Sequence, residues 1–199
     1  SLAEDGRPGP VWIDMPIDVQ SMLIDKPKTL DYIKPKIKHS YNEKNYLEKK
    51  ISTVLNSLNS AKRPVIIVGN GVRFSGKYKE FLKIIKKLSI PVLPVFNSTD
   101  LIASDHALYC GRPGADGDRS GNFVQQNSDL LIILGARMHI RQVGFNSASF
   151  AREAKKIMID VDKAEMNKPN LRINVKIQAD LKYFLPKMLS MIKNYKVEK

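Results

Sequence analysis

Along most of the chain, short unbroken apolar runs alternate with segments whose apolar residues recur at three- and four-residue spacing. The runs are RPVIIVGNG (63–71), IPVLPVF (90–96), DLLIILGAR (129–137), KKIMIDVD (155–162) and NVKIQAD (174–180). The first three are about the length of a strand and carry no polar alternation, so they read as strands buried on both faces, and KKIMIDVD and NVKIQAD read as a fourth and a fifth strand. Between them, GKYKEFLKIIKKLS places Phe81, Leu82, Ile84, Ile85 and Leu88 on one helical stripe. SGNFVQQNS reads as a short helix and SASFAREA as a helical turn. NEKNYLEKKISTVLNSLNSAKR precedes the first run, with Tyr46, Leu47, Ile51, Val54, Leu55 and Leu58 in helical register and Asn42 or Asn45 as its cap. DLKYFLPKMLSMIKNYK closes the chain as a helix that Pro186 is expected to disturb. Strands and helices in this alternation predict an α/β fold: three layers, with a doubly wound, mostly parallel sheet and right-handed crossovers.

The N-terminal region breaks this rhythm. In GRPGPVWIDMPIDVQ (6–20), residues 11–15 read as a strand closed by Pro16. Residues 17–42 carry Pro27, Pro35 and many lysines and read as an extended linker. The expected division is 1–16 as the end of a preceding domain, 17–42 as an interdomain linker, and 43–199 as the main domain. GRPG recurs at 111–114, but nothing around the two copies matches, so no repeat is inferred.

The 199 residues are 43% hydrophobic, enough for one real core. Cys110 is the single cysteine, which excludes an intrachain disulfide and a cysteine zinc site. No stretch approaches the roughly 20 apolar residues needed to span a bilayer, and a cytoplasmic protein is expected. The net charge is +13. Its lysines are dispersed (Lys26 to Lys38, Lys77 to Lys87, Lys155 and Lys156) and lack interleaved aromatics, so they read as solvated faces rather than a nucleic-acid surface.

In a doubly wound sheet, ligands sit beyond the carboxyl ends of the strands. After the first run stand Gly69, Asn70, Gly71 and later Gly76, a G-x-G whose third glycine is replaced by Phe74. Such glycines either approach a phosphate or simply allow a tight strand-to-helix turn. Asn97, Ser98 and Thr99 follow the second run and can bond a ribose or phosphate, or cap a helix. GARMHIRQVG (135–144) follows the third and carries Arg137 and Arg141, whose forked donors suit a diphosphate. They equally suit surface pairs with Asp116 or Asp118. Asp160, Val161 and Asp162 follow the fourth run; a carboxylate there can accept ribose hydroxyls or cap a helix, and Asp180 caps the last helix. His39, His106 and His139 form no catalytic triad or metal spacing, and no catalytic residue is assigned.

These blocks together resemble one family. GRPGPVWIDMPIDVQ is similar to the end of the first domain of thiamine diphosphate enzymes of the acetolactate synthase type. AKRPVIIVGNGV, the stretch from IPVLPVF through GARMHIRQVG, and KKIMIDVDKAEMNK are similar to successive blocks of the central domain of that family. The resemblance implies a Rossmann-like six-stranded central domain that holds FAD without using it for redox chemistry in the carboligation. Related branches hold ADP or no nucleotide, and some are decarboxylases. Carried over, Gly69, Asn70, Gly71, Asn97 and Ser98 would contact the cofactor. The turn Gly111, Arg112, Pro113, Gly114 would approach the flavin, Arg137 and Arg141 would hold the diphosphate, and Asp160 with Val161 the adenosine end.

The resemblance also implies what lies elsewhere in a full-length parent. A pyrimidine-binding domain would precede this region and a diphosphate-binding domain would follow it. Those domains would carry thiamine diphosphate, magnesium and the activating glutamate, in a homodimer or homotetramer, so this chain by itself is expected to be inactive. Two departures stand out. Met138-His139-Ile140 occupies a position where acetolactate synthases usually carry an acid, and the segment from Gly111 to Gly121 is richer in Gly and Asp. Its Asp116-Gly117-Asp118 has the wrong order for the magnesium motif. Three further classes compete with this reading: a purely structural domain that binds nothing, a stand-alone NAD-dependent oxidoreductase and a nucleic-acid binder.

Overall fold

A computed structural model describes residues 3–4, 7–23 and 40–192. The chain divides into two units, Ser1–His39 and Ser40–Lys199. In the first, residues 10–16 join no sheet, and Trp12 and Ile13 are 90% and 79% exposed. The expected strand at 11–15 is therefore not formed among the described residues. A strand is stabilised by its ladder, and none of the described strands pairs with this segment. The expected linker opens instead with one helical turn, α1 (Ile17–Gln20), entered through Pro16. Most of the remaining linker, 24–39, lies outside the described residues.

The second unit is an α/β layer structure. Its helix α2 (Lys44–Ser60) buries Leu47, Ile51, Val54, Leu55 and Leu58. Glu43 stands at the N-cap position, where Asn42 or Asn45 was expected, and makes no side-chain capping bond. Strand β1 (Pro64–Val68) leads into α3 (Gly71–Phe74) and α4 (Tyr78–Leu88). There follow β2 (Val92–Pro94), α5 (Arg119–Gln126), β3 (Leu130–Leu134) and α6 (Ile140–Val143). The chain continues through β4 (Lys155–Asp160), α7 (Lys163–Met166), β5 (Val175–Gln178) and α8 (Leu181–Ile192). Pro186 lies inside α8 without ending it. It stands in the second turn, so its missing N–H removes one bond of the ladder.

All strand pairs are parallel, in the order β2-β1-β3-β4-β5. Among the described residues the sheet has five strands, one fewer than expected, and beyond β2 there is only an isolated parallel bridge, Val92 to Tyr109. Two residues later Gly111 takes φ +93°, which turns the chain off the sheet edge. Side chains alternate across the sheet. Ile66, Val68, Ile132, Leu134, Ile157 and Ile177 share one core with α2, α4 and α8. Val65, Ile67, Leu93, Leu131, Ile133 and Met158 share the other with Phe150, Met166 of α7, Val124 of α5 and Val143 of α6. Burial on both faces is why β1, β2 and β3 read as unbroken apolar runs, whereas β5, at the sheet edge, buries only Ile177 and alternates. Each fully buried Ile or Leu contributes about 2 kcal/mol by leaving water.

Candidate functional site

The strand order reverses between β1 and β3, so the crevice of a doubly wound sheet opens between their carboxyl ends. Here the chain crosses itself closely. Gly69 N–H donates to Leu134 O at 2.9 Å, and Gly71 N–H to Gly135 O at 3.0 Å. A Cβ on Gly69 would lie 2.4 Å from Gly135 O, and one on Gly71 2.6 Å from Gly135 Cα. The G-x-G is thus required by packing against the β3 loop, the bland alternative of the two readings. Its two amide hydrogens are spent on that contact rather than aimed at a ligand.

Asn70 ties the ends of β1 and β2 together. Its Nδ2 donates to Asn97 O at 2.7 Å, and Arg73 Nη1 donates to its Oδ1 at 3.0 Å. Arg73 also pairs with Asp100 at 2.5 Å, and this bond holds the Asp100 carboxyl below the usual range. Ser98 is fully buried, and its Oγ donates to Val68 O at 2.9 Å and lies 3.0 Å from Val95 O. That hydroxyl fastens a turn; it does not face the crevice.

The GRPG turn is folded onto the start of α5. Arg112 N–H donates to Asp118 Oδ2 at 2.8 Å, and Asp118 N–H returns to Arg112 O at 2.7 Å. Asn122 brackets Gly114, accepting from its N–H at 2.9 Å and donating to its carbonyl at 3.0 Å. The abundance of Gly here has a packing cause: a Cβ on Gly117 or Gly121 would meet the Arg112 carbonyl at 2.5 or 2.6 Å. On its other side the turn meets α6, where Ala115 N–H donates to Arg141 O at 2.7 Å and Gln142 Nε2 to Pro113 O at 3.1 Å. A cleft forms between them, lined by Phe96, Arg112, Pro113, Gly114, Asp116, His139 and Arg141. Four expected site residues therefore converge.

The two arginines of the β3 loop diverge. Arg141 faces this cleft with its side chain 65% exposed, and the Asp116 carboxylate is 4.0 Å away, beyond hydrogen-bond length. Arg137 turns toward α7. Its Nε and Nη2 both lie 2.8 Å from Glu165 Oε1. Glu165 is buried and also holds Lys168, whose Nζ donates to Arg137 O at 2.7 Å. Burial pushes the Glu165 carboxyl up, but Lys168 and Arg137 together outweigh it and hold the pKa below the ordinary range.

Asp160 is 2% exposed and accepts from Asp162 N–H at 2.9 Å, so it is turned into the sheet end rather than into the cleft. Val161 O accepts from Gln178 Nε2 at 3.2 Å. Asp162 caps α7 by accepting from Ala164 N–H at 2.8 Å, and Asp180 accepts from Lys182 N–H at 2.8 Å as expected of a cap. His106 accepts from Leu108 N–H at 3.1 Å, His139 stands at the N-cap of α6 and His39 lies outside the described residues. Burial pushes the Cys110 thiol up, away from the reactive thiolate. Among the described residues no cluster of His, Cys, Asp or Glu has metal-binding form, and no helix is long and apolar enough to cross a membrane.

Sequence reasoning missed Arg73, Phe96, Asn122 and Glu165. Glu165 offered a faint signal, standing three residues before Lys168 on a helix. Arg73 likewise stands three residues after Asn70, whereas Phe96 and Asn122 are brought in across loops that no local pattern links.

The chain resembles curated proteins over nearly all its length. It is 36% identical to the probable acetolactate synthase large subunit of Methanococcus aeolicus, over 96% of this chain and 32% of that protein. It is 33% identical to the acetolactate synthase isozyme 1 large subunit of Escherichia coli K12, with the same two coverages. It is 32% identical to the acetolactate synthase large subunit of Lactococcus lactis, again over 96% and 32%. The chain thus spans about a third of the length of these relatives. Residues 51–188 match the family described as the thiamine pyrophosphate enzyme central domain, and the chain, with its parallel sheet and glycine-lined crevice, belongs to that family.

Proposed function

We propose that this chain is the FAD-holding central domain of a thiamine diphosphate-dependent carboligase of the acetolactate synthase kind. The observation that carries this reading is the convergence of Arg112, Arg141 and Phe96 on one cleft beyond the strand ends. The donor set fits the group. Arg112 stands 3.6 Å from Asp118, and Arg141 4.0 Å from Asp116, so both pairs are loose enough for a diphosphate to compete for the guanidinium forks. An exposed aromatic ring lies beside them. In this reading FAD supplies bound structure rather than electron transfer, and the residues here bind and orient it.

The parent's chemistry belongs to the same proposal. The full-length enzyme decarboxylates pyruvate on thiamine diphosphate with magnesium and transfers the two-carbon unit to a second 2-oxo acid, in the route to branched-chain amino acids. Its pyrimidine- and diphosphate-binding domains carry that site, the parent is a homodimer or homotetramer in the cytoplasm, and this chain alone forms no acetolactate. Isothermal titration with FAD and with ADP tests the site. Micromolar FAD binding that ADP reproduces only partly supports the reading, whereas tighter ADP binding moves the parent to an ADP-holding branch. A purely structural domain is the second reading. It is favoured by the internal bonds of Gly69 and Gly71 and the buried hydroxyl of Ser98, and binding of neither nucleotide would support it.

A further inference from the structure

The residues after β2 form a turn tied down on every side. Val95 N–H donates to Val68 O at 3.0 Å, and Ser98 N–H donates to Val95 O at 2.9 Å. Ser98 Oγ reaches Val68 O at 2.9 Å, and Asn70 Nδ2 reaches Asn97 O at 2.7 Å. Phe96 stands inside this turn. It follows a strand whose three residues are all buried, yet it is 55% exposed. It lines the cleft that holds Arg112, Pro113, Gly114, His139 and Arg141. A fixed aromatic face beside two guanidiniums suits a ligand that carries a planar ring on a diphosphate.

We propose that Phe96 is the stacking platform for the isoalloxazine ring, and so the residue that selects a flavin dinucleotide over ADP. This rests on the FAD reading above. In that reading the diphosphate sits on Arg112 and Arg141, and Phe96 lines the same cleft, whereas Asp160 and Val161, expected at the adenosine end, do not line it, so the flavin end is the one within reach of Phe96. Because the turn is already bonded, stacking orders nothing further and its gain is not spent on fixing a loop.

The test titrates FAD and ADP into the wild-type chain and into Phe96→Ala, Phe96→Leu and Phe123→Ala, by calorimetry and by flavin fluorescence. Phe123 is 67% exposed on α5 and does not line the cleft. Phe96→Ala and Phe96→Leu should each weaken FAD about ten-fold, the scale of one lost stack, and lose part of the fluorescence quenching seen on binding. ADP affinity should not move, and Phe123→Ala should match wild type. Leucine keeps the apolar bulk, so a loss shared by both variants reports stacking rather than misfolding. Wild-type FAD affinity and quenching in both Phe96 variants would overturn the inference alone. Equal weakening of FAD and ADP would also overturn it, by placing adenine on the ring. Absence of FAD binding by the wild-type chain would instead refute the FAD reading and remove this inference with it.

Discussion

Glu165→Gln tests the most charged part of the crevice. The wild-type carboxylate is buried and accepts from Arg137 at 2.8 Å and from Lys168. Glutamine keeps the shape and one acceptor oxygen but removes the charge. A hydrogen bond to a charged group contributes about 1.5–3 kcal/mol. The Arg137 side chain is 65% exposed and that of Lys168 32%, so solvent screens part of both pairs. The expected loss at pH 7 is about 2 kcal/mol, or roughly 4–8 °C in Tm for a chain of this size.

The effect has a sign in pH as well. Lys168 and Arg137 hold the folded carboxyl below its unfolded value despite burial. Its contribution is therefore complete above the unfolded glutamate pKa, about 4.3, and is lost as pH falls through the folded value. Urea unfolding followed by circular dichroism at a series of pH values reads both quantities. The gap between wild type and Glu165→Gln should be open at pH 7 and close progressively below about pH 4. A gap that stays constant on acidification, or none at pH 7, would refute the electrostatic account of this residue.

Two further substitutions probe other parts of the fold. Gly135→Ala should cost about 2–4 kcal/mol in urea unfolding, because it combines backbone strain with overpacking: φ is +56° and the new Cβ would lie 2.7 Å from Gly71 Cα. Gly76→Ala, at φ +67° with nothing within 4 Å, carries strain alone and should cost less; equal losses would remove the close-crossing argument. Lys156 is buried, with its Nζ 5.9 Å from the Phe150 ring centroid and 3.4 Å from Ala154 O; burial lowers its pKa, Arg172 lowers it further and Glu153 opposes. Its charge thus weakens the fold below the depressed pKa, and this cost disappears as pH rises toward the unfolded value. Lys156→Met should stabilise by about 1 kcal/mol at pH 7, with the gain shrinking as pH rises toward the unfolded lysine value, about 10.4, and gone above it; a gain independent of pH would contradict that cause.

Three kinds of information were present in the chain itself. The apolar runs at Val65–Val68, 130–134 and 157–159 could only be strands covered on both faces, because no alternation leaves a polar side for water. The stripe Phe81, Ile84, Ile85, Leu88 marks its helix for the same local reason. The ordered blocks placed the family. What needed the folded molecule was everything set by contacts distant in sequence. Asn70 reaches Asn97, Arg137 reaches Glu165 and Gln142 reaches Pro113, each across 27 to 29 positions with no periodic signature. Gly69 and Gly71 look like an incomplete nucleotide fingerprint along the chain, and only their crossing with Gly135 at the two strand ends reveals their steric purpose. The strand expected at 11–15 marks the same boundary from the other side: β character is written in residues, but a strand exists only where a second one hydrogen-bonds to it.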